Sequence, residues 1–310
     1  MQKFPTPANP DRLIAIDYSG DKGPGQKKRI FAATWTRHPR GRVAGGHITL
    51  ENGRTREALT TWLIALAAQT PAMAVSIDCC FSFPAWFLAE QACPTVFHLW
   101  QKVAAGAGEH WLTDTNADRD PRFWGKPHKR PEIFSGPNIP RGMRQTDVEN
   151  KIFGPLADPA RAALMLGITP KSPFQIGGAG SVGTGSLRAM PWLLKLWQHG
   201  FRVWPFETSA LAETPPRPLL LEMYTRLLTG PVKKSNPAAR AAYLQLRHQQ
   251  DPLYKNLPRT VVQQAQLSED AFDALVCCLE MLRHQSEFQS LTATQDLTLL
   301  LEGITWRPGL

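Results

Sequence analysis

The chain has 310 residues, 43% hydrophobic and 20% charged, with a formal net charge of +9. That composition excludes a disordered or fibrous chain and suits one large domain or two modest ones. The positive balance favours a polyanionic partner such as nucleic acid, although many basic proteins bind none.

The opening "MQKFPTPANPDR" has no apolar core of the kind a secretory leader needs. No stretch has the uncharged length to span a bilayer. A cytoplasmic protein with no membrane partner is therefore expected. The five cysteines, Cys79, Cys80, Cys93, Cys277 and Cys278, form no C-x-x-C pair. Two adjacent doublets make a poor disulfide framework, so buried, reduced thiols are expected.

In chain order, "RLIAIDYSG" (12–20) is an apolar run ending in a turn signal and predicts a strand. Residues 28–38 and 41–53 are β-rich, and Pro39-Arg40-Gly41 joins them as an antiparallel hairpin. Residues 55–69 have helical spacing, with Thr55 as N-cap. "AMAVSIDCCFSFP" (72–84) predicts a buried strand closed by Pro84. Helices are expected at 84–93, 95–107 and 158–168. A Gly-rich loop feeds a helix over 172–197. Strands follow at 201–208 and 218–225, then helices at 236–247 and 268–286. Residues 301–308 read as a terminal strand or extended tail.

Within the last long helix, "DAFDALVCCLEML" (270–282) places Asp273 among apolar neighbours. Ser268 is a natural N-cap, and Glu269 and Asp270 suit the positive end of the helix dipole. Asp273 lies one turn deeper. It either joins a solvated stripe with Cys277, Glu280 and His284, or is buried and needs a partner. Asp17 and Asp78 also end apolar runs, where each could simply start a turn. Together the three form a constellation, because converging carboxylates repel unless a cation neutralises them. Hard oxygen ligands suit Mg²⁺ or Mn²⁺.

The order of three strands, helix, strand and late acidic helix resembles the RNase H superfamily, which includes retroviral integrases and Holliday-junction resolvases. More closely, the chain resembles the predicted-nuclease family filed as domain of unknown function 429. The matching pieces are "IAIDYSG", "VSIDCCFSFP", "GGAGSVGTGSL", "VWPFET", "LLLEMYTRLLTGPVKKS", "DAFDALVCCLEM" and "LEGITWRP". The resemblance implies an α/β fold, with an RNase H-like mixed five-stranded sheet flanked by helices and a long insertion after the fourth strand. The core would be 12–84 and 200–286, with the insertion at about 85–199, in one elaborated domain. It also implies a metal-dependent nuclease hydrolysing DNA or RNA. Asp17, Asp78 and Asp273 would be catalytic metal ligands for Mg or Mn, with Asp270 as a further candidate. Resolvase-like enzymes more often use Glu where Asp78 stands. Glu222 matches the family's Glu-x-Tyr element and is either a further site acid or an edge-strand surface residue.

In such a site, two cations about 4 Å apart clamp a phosphodiester for in-line attack by water. Lys233 and Lys234 either hold a phosphate near the acids or form a solvated loop pair. The region 119–151 interleaves Arg119, Arg122, Lys126, Lys129, Arg130 and Arg144 with Phe123 and Trp124. Such a mixture either grips phosphates and stacks on bases, or is a surface insertion whose aromatics dock on the body. Gly178, Gly180 and Gly183 fit G-x-G-x-x-G, with Glu207 downstream. The strand before them is only "FQI", so no nicotinamide cofactor is expected, and a loop approaching a phosphate or turning tightly fits better. Two other functions remain: a nucleic-acid binding module with an inactive acidic site, and a nucleotide-binding or phosphoryl-transfer protein using the Gly-rich loop.

Overall fold

In the computed structural model the described residues are 9–113, 120–152, 170–178 and 180–310. The helix expected at 158–168, Arg119 and Ala179 lie outside them. Six strands form one mixed sheet: β1 (Arg12–Asp17), β2 (Phe31–Arg37), β3 (Gly46–Glu51), β4 (Met73–Ile77), β5 (Arg202–Trp204) and β6 (Leu219–Glu222). Their spatial order is β3-β2-β1-β4-β6-β5. The first three strands run as an antiparallel meander, and β1, β4, β6 and β5 are mutually parallel. The expected count of five is therefore corrected to six. The short β5 pairs along β6 and extends the sheet by one edge strand.

Alternation explains why β1 and β4 occupy the middle. Ile14 and Ile16 of β1 and Val75 and Ile77 of β4 enter one core, while Leu13, Ala15 and Ala74 enter the core on the opposite face. Strands buried on both faces read as continuous apolar runs, as "LIAI" and "MAVSI" do. The first core is covered by α1 (Arg56–Gln69), α2 (Ala85–Glu90), α3 (Val96–Lys102) and α5 (Val182–Gln198); α4 (Gln145–Ile152) follows α3 in the chain. Thr55 accepts a hydrogen bond from the Ala58 amide and caps α1, as its sequence predicts.

The other core is covered by α6 (Pro237–Gln250), α7 (Arg259–Leu267) and α8 (Glu269–Arg283). Ser268 caps α8 by accepting from the Ala271 amide. From Ala271 to Leu282 every residue of α8 is buried, because the helix lies against β1 and β2 on one side and α7 and the turn Thr225–Thr229 on others. A solvated stripe through Asp273 is thereby ruled out; that carboxylate is only 3% exposed. The tail contributes a helical turn, Leu299–Glu302, and one bridge from Trp306 to Met223 in place of a strand. All five cysteines are free and buried. No helix among the described residues is long and apolar enough to cross a membrane.

Candidate acidic site and its cleft

The parallel pairing of β1 with β4 matches Ile16 to Ile77, and the Asp78 amide donates to the Ile16 carbonyl at 3.0 Å. Asp17 and Asp78 therefore leave the sheet side by side. Helix α8 brings Asp270 and Asp273 to the same place. The Asp270 and Asp17 carboxyls interact there.

Electrostatics couple the four acids. Burial raises the Asp17 pKa well above the usual carboxylate value, and Asp273, Asp78 and Asp270 raise it further. Burial pushes Asp78 up to about 6, with Lys234 and Thr225 opposing the shift. It pushes Asp273 up to about 7, again against Lys234. Burial with a shortage of positive charge disfavours the ionised forms.

Among the described residues, no group of three or more His, Cys, Asp or Glu side chains stands ready to hold a metal ion. Lys234 brings a cation into contact with the acids: its ammonium donates to Oδ2 of Asp273 and, at 3.1 Å, to the Thr225 hydroxyl. Oδ1 of Asp273 is buried without a partner. A buried carboxylate oxygen left unpaired is costly. That orphan oxygen, in a cluster of oxygen-bearing acids, is the one feature here that would suit a hard cation.

Glu222 ends β6 next to β4 and raises the Asp78 carboxyl pKa, but its own oxygens are taken up by other partners. Its Oε1 accepts from Arg144 at 2.6 Å and Thr305 at 2.8 Å, and its Oε2 from Arg144 at 2.6 Å and the Phe81 amide at 2.6 Å. Those four bonds use the acceptor capacity of a carboxylate. The reading of Glu222 as a catalytic acid is corrected to an anchor for Arg144. Arg144, expected on a nucleic-acid surface, is 1% exposed and also holds Asp147.

Three more of the expected nucleic-acid contacts are corrected. Phe123 is fully buried and Trp124 nearly so. Phe123 stacks on Trp111 and packs edge-on against Phe83 and Phe87, so the aromatics dock on the body. Arg122 is clamped by Asp120 and Glu90 and lies over the Phe87 ring. Lys126, Lys129 and Arg130 are exposed, as is Lys233; Arg130 lies 4.7 Å from the centre of the Trp124 ring.

The Gly-rich segment joins the acids in one cleft of about 740 Å³, which Asp78, Asp270, Lys234, Gly178 and Gly180 all line. Gly178 and Gly180 both have φ of +78°, a backbone that favours glycine. A side chain at Gly183 would meet the Pro173 carbonyl at 2.1 Å, so that glycine serves close packing. The first turn of α5 borders the cleft, and Ser181 does not cap it. That end carries the positive pole of the helix dipole, with the Val182 and Gly183 amides already donating to the Gly180 and Gln175 carbonyls. Glu207 accepts from Arg202 and the Val203 amide and does not line the cleft.

Sequence reasoning missed Thr225 and Tyr18 at the acidic wall. The Tyr18 hydroxyl is buried without a partner, and its place directly after Asp17 was a usable signal. No family model, curated protein or solved structure matches the chain.

Proposed function

We propose that the chain is a metal-dependent nuclease of RNase H-like fold, one elaborated domain akin to the predicted nucleases of domain of unknown function 429. The observation that carries this reading is that Asp78 and Asp270, which interact with Asp17 and, through it, with Asp273, line the same cleft as a Gly-rich loop and a helix N-terminus. One wall suits cations and the other suits phosphate oxygens. A phosphodiester held by a divalent cation satisfies both. The meander followed by a parallel β4, with acids on β1, β4 and the late α8, supports the RNase H-like reading; β5 is then an added edge strand.

Bound Mg²⁺ or Mn²⁺ supplies a Lewis acid for the phosphoryl group and lowers the pKa of attacking water. Asp17, Asp78, Asp270 and Oδ1 of Asp273 are the groups that would hold it. Amides of the Gly-rich loop and the dipole of α5 orient the phosphate.

The substrate is a nucleic acid in this reading, in keeping with the net charge of +9. A smaller phosphate ester such as a nucleotide is the second reading, favoured by the burial of Phe123, Trp124 and Arg144. The deciding assay incubates the protein with single- and double-stranded DNA and RNA and with nucleotides, with and without Mn²⁺. Cleavage that requires Mn²⁺ and is lost in Asp17→Asn supports the proposal. No turnover of any of them, with no effect of Mn²⁺ on thermal unfolding, overturns it.

A further inference from the structure

Beside the cleft lies a smaller chamber of about 270 Å³, lined by Trp124, Phe134, Met143 and, from α4, Val148. Three stretches of chain pass from one hollow into the other. Met143 lines the chamber and Arg144 the cleft. Gln175 lines the chamber and Ile176 the cleft. Pro170 and Lys171 line both. The join is held by hydrogen bonds. The Trp124 amide donates to the Phe174 carbonyl at 2.9 Å, and its carbonyl accepts from the Ile176 amide at 2.7 Å. Trp124 is thereby tied to the segment that opens the Gly-rich loop. The Ser172 hydroxyl donates to the Gly142 carbonyl and accepts from the Phe174 amide at 3.2 Å, which joins the other two stretches.

The lining has a definite chemistry. Its body is aromatic and aliphatic, and no acid is among the described residues that line it. The charged groups there are cations: Lys171, and Arg130 at 4.7 Å from the centre of the Trp124 ring, both exposed. The Trp124 indole N–H is buried without a partner, a costly state for a group that usually finds an acceptor. The chamber is smaller than the pockets of about 300–1,000 Å³ that take whole ligands. It suits one flat ring system that carries acceptors along its edge and is continuous with a group held next door. An aliphatic chain would leave the donors unused, and a sugar has no flat face to set against an indole. Resting on the reading that the cleft takes a phosphate, we propose that the chamber takes the nucleobase of the same nucleotide unit. The base packs against Trp124, and its phosphate lies in the cleft beyond Lys171. Packing of a base on an aromatic side chain is tolerant of sequence, so the chamber anchors a nucleotide without choosing one base by itself.

Calorimetry in EDTA, with purine and pyrimidine 5′-monophosphates and with ribose 5-phosphate, tests the inference without reference to metal or turnover. Wild type should bind at least one of the nucleotides about tenfold or more tightly than the base-free sugar phosphate. A trinucleotide and its counterpart with an abasic centre, run in parallel, tell whether the base arrives on a strand or on a free nucleotide. A preference in either pair supports the chamber, and its confinement to one pair names the source. Val148→Phe narrows the chamber from α4 and should remove the preference while ribose 5-phosphate binds as before. Trp124→Phe keeps a ring, loses the N–H and should reduce it. Equal affinity within both pairs in wild type would overturn the inference and leave the phosphate reading standing, and this result needs no variant to fold. An undiminished preference in both variants would place the base elsewhere and would also overturn it. No binding of any of these compounds would overturn the phosphate reading, and the inference with it.

Discussion

The Asp78 amide is bonded to the Ile16 carbonyl at 3.0 Å, which fixes Asp78 beside Asp17 at the ends of two parallel strands. Their mutual repulsion is built into the backbone pairing and cannot be relaxed by moving one strand. Burial above all disfavours the ionised Asp78 carboxyl, so Asp78→Asn should stabilise the metal-free protein by about 1 kcal/mol or more. The same change should abolish most of the stabilisation that Mn²⁺ gives wild type, about 2.7 kcal/mol at a hundred times Kd. Asp273→Asn should behave differently. It takes the negative charge from the Lys234 ammonium while relieving a carboxylate whose ionised form burial disfavours, so it should stabilise the metal-free protein less than Asp78→Asn does. Thermal melts of the three proteins with and without Mn²⁺ check both statements; matching behaviour of the two variants would contradict them.

Glu222→Gln leaves Arg144 buried with one carboxylate, Asp147, in place of two. Breaking a buried ion pair from one side costs about 3–5 kcal/mol. The loss should be the same with and without Mn²⁺, because Glu222 is an anchor and not a ligand. Urea unfolding at neutral pH measures it. A selective loss of the Mn²⁺ effect would return Glu222 to the metal site.

Stability of the metal-free protein should fall as pH rises from about 4 to 7. Asp78 and Asp273 have folded-state pKa values pushed up to about 6 and about 7. The folded chain then binds protons more tightly than the unfolded one. Their favourable contribution is complete below the unfolded carboxylate value and is lost as pH passes through the raised values. Mn²⁺ affinity should rise over the same interval, since the ligands must be ionised. Melting temperatures at pH 5 and pH 8, without and with Mn²⁺, should cross in rank.

If nucleic acid binds, Lys126, Lys129 and Arg130 are exposed cations of the insertion, free to touch phosphates. Replacing all three with Ala should flatten the dependence of log K on log salt, by about 0.7–0.9 for each phosphate charge no longer neutralised. Arg122→Ala should leave that slope alone and lower stability, because Arg122 is spent on Asp120 and Glu90. Binding isotherms at several salt concentrations distinguish the two variants.

The local pattern carried much of the architecture. "LIAI" and "MAVSI" announce strands buried on two faces, and Thr55 and Ser268 announce helix starts through side chains that reach only three residues ahead. Acids closing those runs were visible for the same reason. What escaped was long-range pairing. Nothing near Arg144 reveals that its partner is Glu222, 78 residues away. The mixture of Arg, Lys, Phe and Trp at 122–130 reads as a surface until the fold brings Phe83, Phe87 and Trp111 against Phe123. The edge strand β5 was visible as an apolar run, but its place beside β6 depends on a pairing that its own three residues do not encode.

The last residues fasten several distant parts at once. Glu302 accepts from the amides of Ala85 and Gln145, Thr305 donates to Glu222, and the Trp306 amide reaches the Glu222 carbonyl. A ribosome makes these residues after every strand of the sheet and after α8. During synthesis the Arg144–Glu222 pair must wait for its third partner, and the loop behind β4 for its clasp. The native arrangement around Asp78 thus waits for residues 302–306, and a nascent chain halted before residue 302 is a substrate for chaperones and proteases before it is a folded protein.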